Sequence, residues 1–393
     1  MKQHLLIIWN FLWKYQIESF KNNNVTYDIL DVCRHFDKSE FVNNGRNKFT
    51  YEGPYWTEQT VEDKENIATL AKKVLAEVKY DYIFPAWMDS DSLPLAQVNE
   101  RYNLKGIRPE PLKNVYGKNV YGKILKELNI STPKIYETID EVIFPVICKP
   151  SFGSAGAGIK ICYNYEELSN FLSNPINKDH HPYILQEYIS GYTVEVIGNI
   201  VDEKVSIDLI FNIETPKPPY CPEMGYSFPS PADFIEHSLK KDIEKFLSHT
   251  KLNDTPFMLD LIIDENGKYY FIDFSPRISF SIYLLVHYMG NEDYFYNLTN
   301  KILNGVDFTM KKQKSVIHRN FCFEPGIVDS IEYTNDENIK ELCLPKISDT
   351  IKEIKNDYDV ASNGYFCVII GDSLTEAEKT WEKVNKSIKI CYK

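Results

Sequence analysis

The first apolar run, HLLIIW from His4 to Trp9, has no polar alternation and predicts a strand buried on both faces, followed by a helix. TYDILDV and YDYIFPAW read as two more strands, and between them residues 61–79 (VEDKENIATLAKKVLAEVK) space their apolar positions for one face of a helix. Strands alternating with helices predict a parallel sheet with crossover helices, so the first part of the chain is α/β and Rossmann-like in layout. It lacks the dinucleotide fingerprint, because no G-x-G-x-x-G follows the first strand.

The pattern changes near Lys113. KNVYGKNVYGKILKELNISTP repeats V-Y-G-K twice, too short a period to be architectural, and continues as a helix that stops before Pro133. Residues 141–202 read as strand-rich, and YCPEMGYSFPSPAD (220–233) as a Pro-rich loop ahead of the helical run FIEHSLKKDIEKFLSHT. FMLDLIIDENGKYYFIDFSPR (257–277) predicts two strands around an E-N-G-K turn. From about 311 onward, short strands (SIEY, YFCVII) accompany the amphipathic helix LTEAEKTWEKVNKSI.

Composition narrows what such a chain can do. Its 393 residues fit two or three packed domains, and 43% apolar with 25% charged residues is globular and soluble. A net charge of −12 argues against a nucleic-acid or anionic-membrane binder, which needs a concentrated basic face. The opening HLLIIWNFLW is too short for a membrane span, is broken by Asn10, and has no small-residue cleavage site after it. Eight cysteines (Cys33, Cys148, Cys162, Cys221, Cys322, Cys343, Cys367, Cys391) form no C-x-x-C and pair with no spaced histidine, which points to reduced thiols in the cytoplasm.

The stretch KPSFGSAGAGIKI, Lys149 to Ile161, is the chemistry-bearing loop. Gly153 and Gly158 have Walker A spacing, yet Ile159 and Lys160 stand where the lysine and hydroxyl belong, and both flanks are β-like. The loop therefore joins two strands. Its donors for an anion are backbone N–H groups, as at Gly156, together with Ser151 and Ser154, and a plain glycine hairpin is the alternative. Lys149 ends the strand before the loop. YILQEYISG follows, a strand whose edge at Gln186, Glu187, Tyr188 and Ile189 could meet an adenine edge, with Gln186 as a side-chain partner. Asp260 and Asp273 lie on the two strands of the predicted hairpin, facing one pocket, and oxygen ligands of this kind suit Mg2+. Asp264, Glu265 and Asn266 are turn residues.

In this order, a lysine, a lysine before a glycine hairpin, a Q/E-x-aromatic-aliphatic strand and an acidic strand ending in P-R resemble the ATP-grasp superfamily of carboxylate-amine ligases, over residues 80 to 390. Within it the chain is most like the L-amino-acid ligases that make dipeptides. The resemblance implies an ATP-grasp fold in three parts: a Rossmann-like domain (1–112), an ATP-grasp domain (113–310) with a lid at about 134–190, and a small α+β domain (311–393) completing the core. Lys118, fifteen residues before Pro133, and Lys149 correspond to the two phosphate-contacting lysines, and Lys123 to a helix-surface residue. FIDFSPRIS is similar to the metal strand Glu-x-Asn-x-Arg, which puts Asp273 and Ser275 at ligand positions beside Asp260, and Arg277 at the arginine. PEMGYSFPSP resembles the substrate-side stretch, through Glu223, Gly225 and Pro229. The chain departs from the family pattern at several positions. Asp replaces Glu at 273 and Ser replaces Asn at 275. Thr193 stands where the ribose acid belongs, with Glu195 on the same strand face. Ser279 and Phe280 replace glycines in the substrate pocket.

The implied chemistry is amide formation between small carboxylate and amine substrates, expected to be amino acids, through an acyl phosphate made from ATP with Mg2+ or Mn2+. Arg277 would hold the carboxylate or oxyanion, Glu223 is a candidate base, and the loop would close as a lid. A homodimer is left open. The alternatives are a ligase on another acid, a carboxylase-like phosphorylation of bicarbonate, and a nucleotide-binding pseudoenzyme suggested by Ser275 and Thr193.

Overall fold

The structure is a computed structural model that describes residues 4–9, 14–31, 48–50, 61–84, 89–151, 158–173, 183–215, 223–353 and 364–393. Strands β1 (His4–Trp9), β2 (Thr26–Asp31), β3 (Lys48–Thr50) and β4 (Tyr82–Phe84) form an all-parallel sheet in the order β3-β2-β1-β4. Helices α1 (Lys14–Asn22), α2 (Val61–Glu77) and α3 (Asp89–Arg101) accompany it. The unbroken apolar opening is explained by packing on both faces. Leu6 packs with Leu30, Val74 and Val98, while Leu5, Phe20 and Tyr82 belong to the core that extends under the rest of the molecule.

After α4 (Pro109–Lys113) and α5 (Lys118–Glu127) comes a small sheet of β5 (Ile135–Tyr136), β6 (Val146–Pro150), β7 (Lys160–Cys162) and β8 (Tyr183–Glu187), ordered β5-β8-β6-β7. Strands β6 and β7 pair antiparallel on either side of the glycine loop, as expected, while loop residues 152–157, including Ser154 and Gly156, lie outside the described residues. The strand-rich reading of 141–202 is incomplete, because this sheet also carries helix α6 (Tyr165–Ser173). Leu168, Phe171 and Leu172 of that helix pack on Val146, Cys148 and Cys162.

The main sheet is antiparallel and eight-stranded, in the order β13-β12-β9-β10-β11-β14-β18-β16. Its members are β9 (Tyr192–Val201), β10 (Lys204–Glu214), β11 (Gly225–Phe228), β12 (Thr255–Ile263), β13 (Tyr269–Ser275), β14 (Ser315–Asn320), β16 (Ile339–Cys343) and β18 (Phe366–Gly371). Strands β15 (Gly326–Glu332), β17 (Thr350–Ile351) and β19 (Lys389–Tyr392) make a third sheet, ordered β17-β15-β19. Helix α7 (Glu236–Thr250) packs on the Val194, Ile210 and Leu259 face. The opposite face, with Ile197, Phe211 and Tyr226, is covered by α8 (Phe280–Tyr288) and α9 (Tyr294–Asn304), and α10 (Leu374–Ser387) packs by β18.

One sequence expectation fails here. The stretch 220–233 is not a loop throughout: GYSF within it is β11, an interior strand between β10 and β14, while residues 220–222 lie outside the described residues. Four residues between prolines carry too little pattern to read as a strand, and its stability comes from distant partners. Gly225 is required there, because its φ is 148° and a Cβ would lie 2.0 Å from the His318 carbonyl oxygen. The 257–277 hairpin is as expected, and Asp264 Oδ1 accepts from the backbone N–H groups of Asn266 and Lys268 to close its turn. Among the described residues no helix is long and apolar enough to cross a membrane.

Candidate active site

The register of three strands builds the site. Asp273 on β13 is the direct partner of Asp260 on β12, and Asp260 is in turn the partner of Glu195 on β9. Three carboxylates thus form one row across the sheet, on the same face as Ile197 and Met258. A bulge directly after Asp260 separates this row from the regular hairpin beyond it.

Two lysines face the Asp273 end of the row. Gly117, with φ at 107°, turns the chain into α5, and the Lys118 backbone N–H donates to the Ser151 carbonyl at 2.9 Å, tying the helix start to the end of β6. From there Lys118 Nζ reaches Asp273 Oδ2 at 2.9 Å, and Tyr121, one helical turn on, donates to Oδ1 at 3.0 Å. Lys149 is buried and donates to the Ile272 carbonyl at 3.1 Å, and Ser151 donates to Asn119 at 2.6 Å. Burial would raise the Asp273 carboxyl, but Lys118 and Lys149 outweigh it and hold the group below its ordinary value. Burial, helped by the Lys118 charge, lowers Lys149 to about 8. Asp260 is pushed well upward by burial and then by Asp273, and Glu195 by burial and then by Asp260.

These residues fit a divalent cation. Asp260 Oδ1 is buried without a hydrogen-bond partner, next to a second carboxylate, which is the acceptor set a hard cation completes. Among the described residues no group of three or more His, Cys, Asp or Glu could hold a metal, so any ion would draw its remaining ligands from phosphate or water, as Mg2+ does. Ser275, two residues on from Asp273 and buried, is opposite Met258.

Arg277 is 7% exposed, and Glu195, Asp260 and Glu223 all feel its charge. Glu223 stands at the exposed rim, and Tyr226 donates to Glu195 Oε2 at 3.1 Å. Ser279 immediately precedes α8, and its Oγ is buried with no partner. Lys123 is exposed on α5, away from the row.

The adenine-side expectation needs a correction. Gln186 and Glu187 do not form a sheet edge, because β8 is interior: Gln186 pairs with Ile135 on β5 and Ile147 on β6, and the Glu187 N–H donates to Lys134. A two-residue β5 leaves almost no pattern in sequence, which is why the edge was misplaced. The strand ends at Glu187, and Ile189 beyond it is half-buried. Glu195, expected at a ribose, has Tyr226 as its hydrogen-bond partner and Asp260 and Arg277 as its charged neighbours. Sequence reasoning missed Tyr121, Asn119 and Tyr226. Only Tyr121 left a signal, three residues after Lys118 and therefore on the same helical face.

The family model described as the carbamoyl-phosphate synthase L chain, ATP binding domain, matches residues 125–290, a span that holds Lys149, the carboxylate row and Arg277. The carbamoyl phosphate synthase large chain of Clostridium perfringens (strain 13) is 23% identical over 241 residues, covering 57% of this chain and 22% of that protein. The chain thus spans about a fifth of the length of this curated relative. Among solved structures, an L-amino acid ligase from Bacillus licheniformis superposes with a TM-score of 0.81 at 16% identity, over 100% of this chain and 99% of that one. The biotin carboxylase domain of Hydrogenobacter thermophilus 2-oxoglutarate carboxylase, solved with MgADP and bicarbonate, gives 0.72 at 14% identity, over 100% and 91%. The shared fold is ATP-grasp.

Proposed function

We propose that this chain, which has the ATP-grasp fold and a segment matching an ATP-binding domain model, is an ATP-dependent ligase that joins a small-molecule carboxylate, an amino acid, to an amine. The observation that carries the reading is the Asp273–Asp260 pair facing Lys118 and Lys149, with one buried carboxylate oxygen left open. In this reading residues 1–112, 113–310 (lid at about 134–190) and 311–393 are its three domains, and it works in the cytoplasm.

A carboxylate resists amines because attack would expel oxide. Phosphorylation by ATP gives an acyl phosphate with a good leaving group. The amine nitrogen then attacks the acyl carbon, phosphate departs, and ADP and an amide remain. Phosphoryl transfer needs alignment and charge neutralisation more than covalent help. Lys118 and Lys149 would contact the phosphates, with Ser151, Ser154 and Gly156 at the loop, while Gln186, Glu187 and Ile189 would border the base. Asp260, Asp273 and Ser275 would hold Mg2+, or Mn2+, which supplies further neutralisation of phosphate charge. Arg277 would hold the carboxylate and the oxyanion that develops from it. Ser279 would line the substrate pocket, and Glu223 at the rim is the candidate base.

The test is ADP release and new masses from MgATP with mixed amino acids. Amino-acid-dependent ADP formation with a product lighter than its two components by one water supports the ligase. A second reading, phosphorylation of bicarbonate, is favoured by the similarity to the biotin carboxylase domain, and it predicts ADP release driven by bicarbonate instead. Tight nucleotide binding with no turnover would mean a pseudoenzyme.

A further inference from the structure

The charges around Arg277 do not balance. Lys118 and Lys149 act on Asp273 and Asp260, but Asp260 also draws on the one guanidinium that Glu195 and Glu223 share. Glu195 is the deeper of the two, only 1% exposed, with Oε2 accepting from Tyr226 and Oε1 buried without a partner. Tyr226 is equally buried and fixes which oxygen stays open. A carboxylate oxygen left bare in the interior is costly, and a ligand donating N–H groups and a positive charge removes that cost. With Tyr226 holding one oxygen, the open one is placed to accept N–H bonds from an organic cation.

We infer that Glu195 Oε1 binds the ammonium group of an α-amino acid whose carboxylate lies against Arg277. The inference rests on the ligase reading above. In an α-amino acid a single carbon separates ammonium from carboxylate, so the residues holding them must adjoin; Arg277 reaches the Met258 sulfur at 3.9 Å, and Met258 is the cross-strand partner of Ile197, two residues from Glu195 on the same face. An acid without the ammonium leaves Oε1 unsatisfied, and sites built for a polar group discriminate strongly against analogues that lack it. Glu195 is thus a specificity residue for the acid substrate, with Tyr226 as its positioning residue.

The experiment compares ADP formation by the unaltered protein with α-amino acids and with their 2-hydroxy and des-amino counterparts, at saturating MgATP and amine. Amino acids should be favoured in kcat/KM on the order of a hundredfold or more. Glu195→Gln should narrow that gap by raising KM for amino acids alone while nucleotide affinity holds, and Tyr226→Phe should do the same more weakly. Equal use of des-amino acids by the unaltered protein overturns the inference, as does an intact preference in Glu195→Gln. If no acid of either kind supports turnover, the ligase reading fails. Calorimetric titration of the ADP-bound protein then still decides the ammonium site: an amino acid that binds where its des-amino analogue does not supports it, and equal or absent binding of both refutes it.

Discussion

Asp273 is the residue on which most of the site converges, since Lys118, Tyr121 and the neighbouring backbone N–H of Phe274 all bond to it. Asp273→Asn keeps the shape but loses the charge, so turnover should fall by at least about a hundredfold while the fold survives. Steady-state kinetics with circular dichroism checks this, and unchanged activity would refute the metal role. A half-buried acid, Asp208, lies outside the site and reports on stability. Burial lifts it from 3.8 to about 6 despite hydrogen bonds from Asn199 and Tyr294 and the Lys301 charge. Between those values the folded protein holds a proton that the unfolded chain has released, so this group lowers stability as pH rises from about 4 to 6. Asp208→Asn removes that contribution. Urea unfolding across the window should show the variant gaining on its parent as pH rises, and parallel pH profiles would contradict the assignment.

Among the elements, β11 does most for its length: it bridges β10 and β14 and delivers Tyr226 to Glu195. Gly225→Ala should unseat it, because the added Cβ meets a backbone carbonyl and not a flexible side chain, costing about 2–4 kcal/mol. The urea midpoint should drop accordingly, and an unchanged midpoint would mean the strand tolerates a shift. The contrast between elements explains what was legible in the sequence. The 257–277 hairpin declares itself through local alternation and a turn, and with it came Asp260, Asp273 and their shared face. Helix α5 and its lysine were legible for the same local reason. By contrast β5 and β11 are strands only because of what lies beside them, and neither short segment carries a period of its own. The pairing of Glu195 with Asp260 joins segments 65 residues apart, a register that sequence alternation does not specify. The cost was the misplaced sheet edge at Gln186 and the missed Tyr226.

At the scale of the whole molecule, one core joins the parts. Leu5 and Tyr82 from the N-terminal sheet, Ile197 and Tyr283 from the middle, and Val316 and Val368 from the last segment pack in a single cluster on the sheet face that carries the carboxylate row. Residues far apart in the chain therefore hold the site together, and a ligand bound there should stabilise more than its immediate contacts. A non-hydrolysable ATP analogue with Mg2+ at a hundred times its Kd should add about 2.7 kcal/mol to unfolding. In Asp273→Asn the Mg2+-dependent share of that gain should vanish, as read by thermal unfolding with and without chelator. A gain that ignores Mg2+ in the unaltered protein would contradict the cation site.

If a carboxylate is phosphorylated before an amine attacks it, one of its oxygens must leave with the phosphate. With the carboxylate labelled in 18O, one labelled oxygen should appear in each phosphate released during amide formation. Phosphate released without label while amide accumulates would contradict an acyl phosphate and the account built on it.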